Sequence, residues 1–417
     1  MTITLNRRHA LGGLAAAASL PFIGGVRAAG NPVQLLSHRY PALEFYAEEL
    51  KNAIPGVEVN AQLMPVDKQI EMATIALSSQ SSSVDLVYVS TATVNIYASK
   101  GWLMPLDDLW EKHKEEFNLG DLNPQVVSEY NTDGVQYALP TNSITMILAY
   151  RGDLFEQAGV APPKTMDEYV QIANQLNSPA RAGTILNLKP GDAIYHEVHW
   201  HLNAQAEGWF DADWHPVFNS ARAVEALQTV KDLTRVAQPG YLNAFADETT
   251  IALQQDAAVQ GHSYSTRART FDDPAKSMVV DKMQFVGLPG GGGRRHSDGY
   301  AISAFTKQDP DLLFRLIATA SREEAQRRAA QLIVPTRLSL LNDPELISQL
   351  RHYPACLEGL KAGVPLPPLP EIYAVGDFIS RRIHQALTDE LQIKEALDLA
   401  AKETEDFLRN AGYYKAA

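Results

Sequence analysis

The side chains with the spacing to do chemistry start with Tyr195-His196-Glu197-Val198-His199-Trp200-His201, which sets imidazoles at i, i+3 and i+5, with His215 further on. Histidines three apart share a helix face and could coordinate zinc. The spacing is not that of a zinc protease, whose two histidines stand four apart around a glutamate. A packed or cleft-lining helix is the plainer reading, and no metal is assigned. Gly290-Gly291-Gly292-Gly293-Arg294-Arg295 looks like a phosphate cradle, yet it lacks the lysine and hydroxyl residue of a P-loop and no helix obviously follows. It reads as a flexible surface loop. Serines near histidines form no nucleophile elbow, and no carboxylate pair can be given glycosidase roles from spacing. Cys356 is the only cysteine, which excludes an internal disulfide. No catalytic residue and no cofactor follow from these patterns.

The first residues carry a different message. Asn6-Arg7-Arg8-His9-Ala10-Leu11 precedes an uncharged stretch rich in Ala and Gly that ends near Val26-Arg27-Ala28. Such a start predicts an export signal, of twin-arginine type at face value, cleaved after Ala28. The apolar part is too short to span a membrane well. The expected compartment is the periplasm. The chain of 417 residues carries a net charge of −13, and the first 28 residues hold three arginines and no acid, so the processed chain would stand near −16. That acidity argues against nucleic acid as a partner. At 45% hydrophobic and 20% charged residues the composition is that of a globular protein, long enough for two domains.

Short apolar strands alternate with amphipathic helices from Asn31 on, which predicts an α/β fold with largely parallel sheets. Val33 to Ser37 reads as a strand. A helix opening at Pro41 puts Leu43, Tyr46, Ala47 and Leu50 on one face. Val57 to Leu63 alternates as a strand, a helix runs over Lys68 to Ser78, and Val84 to Ser90 is a buried strand. Thr165-x-x-Glu168 and Ser321-x-x-Glu324 read as capping boxes. Ser220 introduces a helix with Val224, Leu227, Val230 and Leu233 inward. Ile393, Ala396, Leu397, Ala400, Phe407 and Leu408 mark the last helix. Val364 to Pro370 is a stiff, proline-rich connector.

In this frame several segments resemble one family in the right order. They are Tyr137-Ala138-Leu139-Pro140, Met146 to Phe155, Ala158-Gly159-Val160 with Pro162-Pro163-Lys164-Thr165, and Phe218-Asn219-Ser220. Gln254 to Val259, Gly287-Leu288-Pro289-Gly290-Gly291 and Ile333-Val334-Pro335-Thr336-Arg337 continue the series. The set is similar to the extracellular solute-binding proteins of carbohydrate ABC importers, the family that includes maltose-binding protein. The resemblance implies two α/β lobes of the type II periplasmic binding fold, each a sheet flanked by helices, joined by hinge strands around a ligand. By that analogy lobe one spans residues 31–141 with 302–341, and lobe two spans 142–301 with 342–417. Crossings fall near Tyr137 to Asn142, Gly299 to Ala304 and Leu340 to Pro344.

Ligand hydroxyls need planar hydrogen-bonding groups, which in such lobes come from loops at the carboxyl ends of strands. His38, Arg39 and Tyr40 form the first such loop, and Ser90 and Thr91 the second. Asn142 and Ser143 sit just past the first crossing. His262 and Tyr264 occupy a slot where the family often places an aromatic residue. Asp298, Gly299 and Tyr300 stand where many members carry two glycines and a tryptophan. This departure favours a monosaccharide or polyol over a large stacked oligosaccharide. Arg337 matches an arginine that can reach the cleft in the family, and His199, Trp200 and Trp209 fall in a region of frequent ring contacts.

The reading that follows is a monomeric, non-enzymatic binding protein that carries a small sugar or polyol to ABC permease subunits in the inner membrane. An anionic polyol such as glycerol phosphate, recognised through Arg39 and Arg337, is the alternative. A metal-binding importer component and an exported carbohydrate-active enzyme are the remaining options.

Overall fold

The computed structural model describes residues 31–414, so the expected export signal lies outside the described residues. Strands in chain order are β1 (Val33–His38), β2 (Val59–Met64), β3 (Leu86–Ser90), β4 (Asn131–Thr132), β5 (Val135–Gln136) and β6 (Ala138–Arg151). β7 (Gln260–Tyr264), β8 (Met283–Val286), β9 (Arg295–Ile302) and β10 (Val334–Pro335) follow. The main sheet runs β10-β6-β9-β3-β1-β2, with β7 and β8 also paired to β6. β4 and β5 form a separate hairpin.

The Pro41–Asn52 helix forms as the periodicity predicts, with Leu43, Tyr46, Ala47 and Leu50 buried against β1 and β3. Thr165 and Glu168 close a reciprocal cap on the Met166–Leu176 helix. The second predicted capping box does not form. Ser321 ends the Pro310–Ala320 helix instead, and Arg322 stands at the start of the Glu323–Ala329 helix. Sheet direction also departs from expectation. Among the named strands only β1–β2 and β1–β3 are parallel. The others are antiparallel, because β6 and β9 carry the chain between lobes in opposite directions.

β6 explains the two-lobed shape. Its 14 residues extend about 47 Å at roughly 3.4 Å each, long enough to serve two cores. Leu139 belongs to a core with Leu35, Tyr46, Leu86, Tyr300 and Phe314. Met146 and Leu148 belong to another, with Tyr169, Trp200, Leu227, Ile379 and Leu397. β9 returns along the first half of β6, whereas β7 and β8 pair with its second half. β10 meets β6 at Asn142 and Ser143. Beyond it, Leu341 and Cys356 pack with Ile147 and Ala149. A bulge lies between Pro140 and Asn142, where proline has no N–H to give a ladder. Thr141, at the bulge, donates to the Asp298 carbonyl at 3.0 Å, and its own carbonyl accepts from Tyr46 at 2.8 Å.

The glycine run before β9 is not the flexible loop expected from composition. Gly290, Gly291 and Gly292 all have positive φ, and the Gly292 N–H donates to the Ala362 carbonyl at 3.0 Å. A Cβ on Gly292 would lie 2.7 Å from the Asn203 carbonyl carbon. The segment is a close crossing of backbone against two helices. Gly292→Ala is therefore expected to cost about 3 kcal/mol of stability from strain plus overlap. Urea unfolding measures this, and parental stability would mean that the crossing is loose.

Candidate functional site

Where the cores meet, the carboxyl ends of β1 and β3 bring side chains to the hinge strands. Asp298 on β9 is 2% exposed. Its carboxylate accepts from the Tyr88 hydroxyl at 2.8 Å, from the Asn142 amide at 3.0 Å, and from the Tyr40 hydroxyl. Among the described residues no cation pairs with it. Burial, and then the Asp298 charge, push both phenols well above their usual range, so they remain donors. His38 stands beside them, its ring 5.2 Å from Tyr40 and 5.8 Å from Tyr88.

The facing wall comes from the Asp192–Gln205 helix, the end of β7, the start of β9 and the Ile372–Leu387 helix. His196 Nδ1 lies 3.0 Å from the Tyr264 hydroxyl and 3.4 Å from an Arg294 guanidinium nitrogen. Burial first, then Arg294, hold the His196 and His296 imidazoles well below their usual range, so both stay neutral at pH 7. Arg294 Nε, His296 Nδ1 and the Tyr195 hydroxyl are buried without protein partners. Beside this wall lies an open cavity of about 430 Å³, lined by Lys189, Asp192, Phe245, Tyr373 and Asp377 among others, with the Phe245 ring 5.9 Å from that of His196. The walls touch: Tyr264 packs on both cores, and Ala92 from the first lobe joins the second core.

Of the residues singled out in the sequence, His38, Tyr40, Ser90, Asn142, Tyr264 and Asp298 gather at this junction. Ser90 caps the Thr91–Ser99 helix, which holds Thr91 in its first turn, and Tyr373 approaches Ser90 from across the junction. Ser143 is buried with its hydroxyl unpartnered, and Arg39 is exposed. Gly299 serves spacing, since a Cβ there would sit 2.7 Å from the Leu139 carbonyl oxygen.

Other expectations are corrected by packing. Tyr300 is fully buried in the first core, its hydroxyl 3.4 Å from Ser37. Trp200 is buried beneath the wall and donates to the Pro289 carbonyl. Trp209 stacks on Tyr195 and donates to His199, whose other nitrogen meets the Val364 carbonyl. His262 lies 3.5 Å from the buried Glu197 carboxylate. Arg337 reaches neither cleft nor surface. At 1% exposure its guanidinium donates to the carbonyls of Ser321, Asn118 and Phe117 at 2.9, 2.9 and 3.0 Å. It therefore pins the chain after β10 to the first lobe.

Tyr88, Tyr195, His196, Arg294, His296 and Tyr373 were not among the expected site residues. The alternation of β9 could have found one of them: His296, Asp298 and Tyr300 fall on one face by the period of two. The clustered histidines separate, His196 toward Tyr264, His199 toward Val364, and His201 toward Glu197.

Residues 37–327 match the bacterial extracellular solute-binding protein family. The chain belongs to that family. A mannitol-binding protein of Pseudomonas aeruginosa is 28% identical over 379 residues, covering 82% of this chain and 84% of the relative. A solute-binding protein of Agrobacterium radiobacter K84 solved with ribitol is 24% identical, with a TM-score of 0.80 and coverage of 91% and 99%. One from Agrobacterium vitis S4 with bound D-mannitol is 22% identical, with a TM-score of 0.77 and coverage of 92% and 100%. Both share the two-lobed fold.

Arg337→Met should lower stability by about 3 kcal/mol, because buried carbonyls lose their donors, and chemical unfolding would register it. Acid gives a second expectation. Burial first lowers His199 and His352 to about 4 from 6.5, with nearby arginines adding to the shift. Between those values the unfolded chain binds protons that the folded chain does not, so stability falls as pH drops from 6.5 toward 4 and is level above. His352→Phe should reduce the loss between pH 7 and pH 5 by about 2 kcal/mol. An unchanged pH dependence of the urea midpoint would overturn this.

Proposed function

We propose that this protein captures a small polyol or sugar between its lobes and delivers it to the permease of an ABC importer, with no bond made or broken. The observation that carries this reading is the junction itself. One wall offers the hydroxyls of Tyr40 and Tyr88 around Asp298, and the other offers Arg294, His296 and Tyr195 with unpartnered polar atoms. A polyhydroxylated ligand both donates and accepts, so it can satisfy both walls at once. The mannitol-binding relative and the ribitol- and mannitol-bound neighbours support the same ligand class. The tryptophans pack elsewhere: Trp200 and Trp209 are buried in the second core, Trp214 packs against it, Trp110 packs on the first core and Trp102 on Tyr97.

On this reading lobe one is 31–141 with 302–341, lobe two is 142–301 with 342–417, and β6, β9 and the segment Leu340 to Pro344 are the crossings. Ligand favours the closed state in proportion to its differential affinity for the two forms. The basic, apolar start sends the chain to the periplasm, through the twin-arginine route, where it works as a monomer.

Thermal unfolding against alditols, monosaccharides, disaccharides and glycerol phosphates tests the proposal. A ligand at one hundred times its dissociation constant adds about 2.7 kcal/mol, enough to raise the midpoint by several degrees. Tyr40→Phe should weaken that ligand about tenfold through loss of one hydrogen bond. No shift with any sugar or polyol, together with turnover of a glycoside, would overturn the reading.

A further inference from the structure

Two arginines follow one another at the entry to β9 and meet different fates. Arg295 lies 3.3 Å from the Glu129 carboxylate on the back of the hinge. Arg294 turns to the junction, and among the described residues no carboxylate reaches its guanidinium. It meets the His196 imidazole at 3.4 Å and the Tyr264 hydroxyl, and its Nε has no partner. Beside it the His296 Nδ1 and Tyr195 hydroxyl are also unpartnered. A buried donor left open costs about 1–3 kcal/mol, so this group is built to be completed from outside the chain.

The charges around it restrict what can complete it. Asp298 carries a carboxylate with donors but no cation. Asp192 stands at the rim in the same cavity as Asp377, close enough for its charge to act on Tyr195 and Tyr373. The two imidazoles are neutral, which leaves Arg294 and, at the rim, Lys189 against the three carboxylates of Asp192, Asp377 and Asp298. A ligand hydroxyl can accept from Arg294 and donate toward the tyrosine oxygens. A ligand carboxylate or phosphate gains Arg294 but meets the field of Asp192 and Asp298 and has no proton to give.

We propose that Arg294 is the residue by which lobe two holds the ligand, and that Asp192 and Asp298 make the cleft select an uncharged polyol over its carboxylate or phosphate form. The proposal rests on the polyol reading above. Titration calorimetry on the full chain with D-mannitol, ribitol, D-mannonate and mannitol 1-phosphate tests it, alongside Arg294→Met, Arg294→Lys and Asp192→Asn. The parent should bind an alditol at least about tenfold more tightly than its anionic counterpart. Arg294→Met should weaken the alditol about ten- to a hundredfold, with the ligand-free melting midpoint little changed. Arg294→Lys should recover part of the loss, and Asp192→Asn should narrow the gap between alditol and anion. An anion bound as tightly as its alditol overturns the selectivity, and parental affinity in Arg294→Met overturns the grip. If Arg294→Met does not fold, Arg294→Lys and the parental panel still decide. Failure of every alditol and sugar to bind would instead overturn the polyol reading, and this proposal with it.

Discussion

Between Ala138–Thr145 on β6 and Arg295–Ala301 on β9, two strands run antiparallel through the meeting of the cores, and the polar groups of the junction take their direction from that register. Side chains alternate along a strand, so a slip of one residue would exchange whole faces. His296, Asp298 and Tyr300 would move to the back of the hinge, and Arg295 and Ser297 would face the junction. Two features fix the observed alignment. Gly299 lies where any Cβ would strike the Leu139 carbonyl, and the bulge at Thr141 resets the pairing so that Asn142 stands opposite Asp298. Thr141 is itself tied to Tyr46 on a core helix, so the register is anchored to the buried core of the first lobe.

Asp298 shows what that anchoring permits. A carboxylate taken out of water without a cation is costly unless each lone pair finds a donor. Tyr88, Tyr40 and Asn142 supply three donors from three different strands or loops. The arrangement fixes the phenolic protons inward and leaves the phenolic oxygens with acceptor capacity. Behind the hinge the same economy appears in a second form, where Glu129 lies by Arg295 and accepts from Ser297 at 2.5 Å. One face of β9 therefore ties lobe one to the strand, and the other holds the polar groups that remain open.

Much of this was legible in the sequence, for reasons that separate cleanly. Helices whose burial follows a 3.6 period, such as Pro41–Asn52 and Ala221–Leu233, depend on local pattern and appear where expected. The order of weak motifs across the chain carried the family. Tyr40 was visible because it follows the carboxyl end of β1, whereas Asn142 and Asp298 lie within β6 and β9, where the chain passes between the cores. What failed depends on non-local contact. Nothing near Arg337 in the sequence reveals that the carbonyls of Phe117, Asn118 and Ser321 wait for it. The glycine run looked loose because composition does not report Asn203 and Ala362 packed against it. Arg294 was hidden by the same misreading, since a residue after a loop attracts less notice than one that opens a strand.

The histidine-rich helix makes a last physical point. Residues Ala193 to Leu202 are buried on every side, so each imidazole is read by a different neighbour. His199 accepts from Trp209 and donates to Val364, and it is complete without a ligand. His196 shares its Nδ1 between Tyr264 and Arg294 and is not independent of what occupies the junction. If the lobes close on nothing, Arg294 Nε, His296 Nδ1 and the Tyr195 hydroxyl stay dry and unpaired, whereas in an open form water can reach them. On the binding reading, that difference is what couples closure to occupancy. The closed state becomes favourable only when the ligand supplies the missing partners, and affinity resides in groups the protein leaves unsatisfied by its own fold.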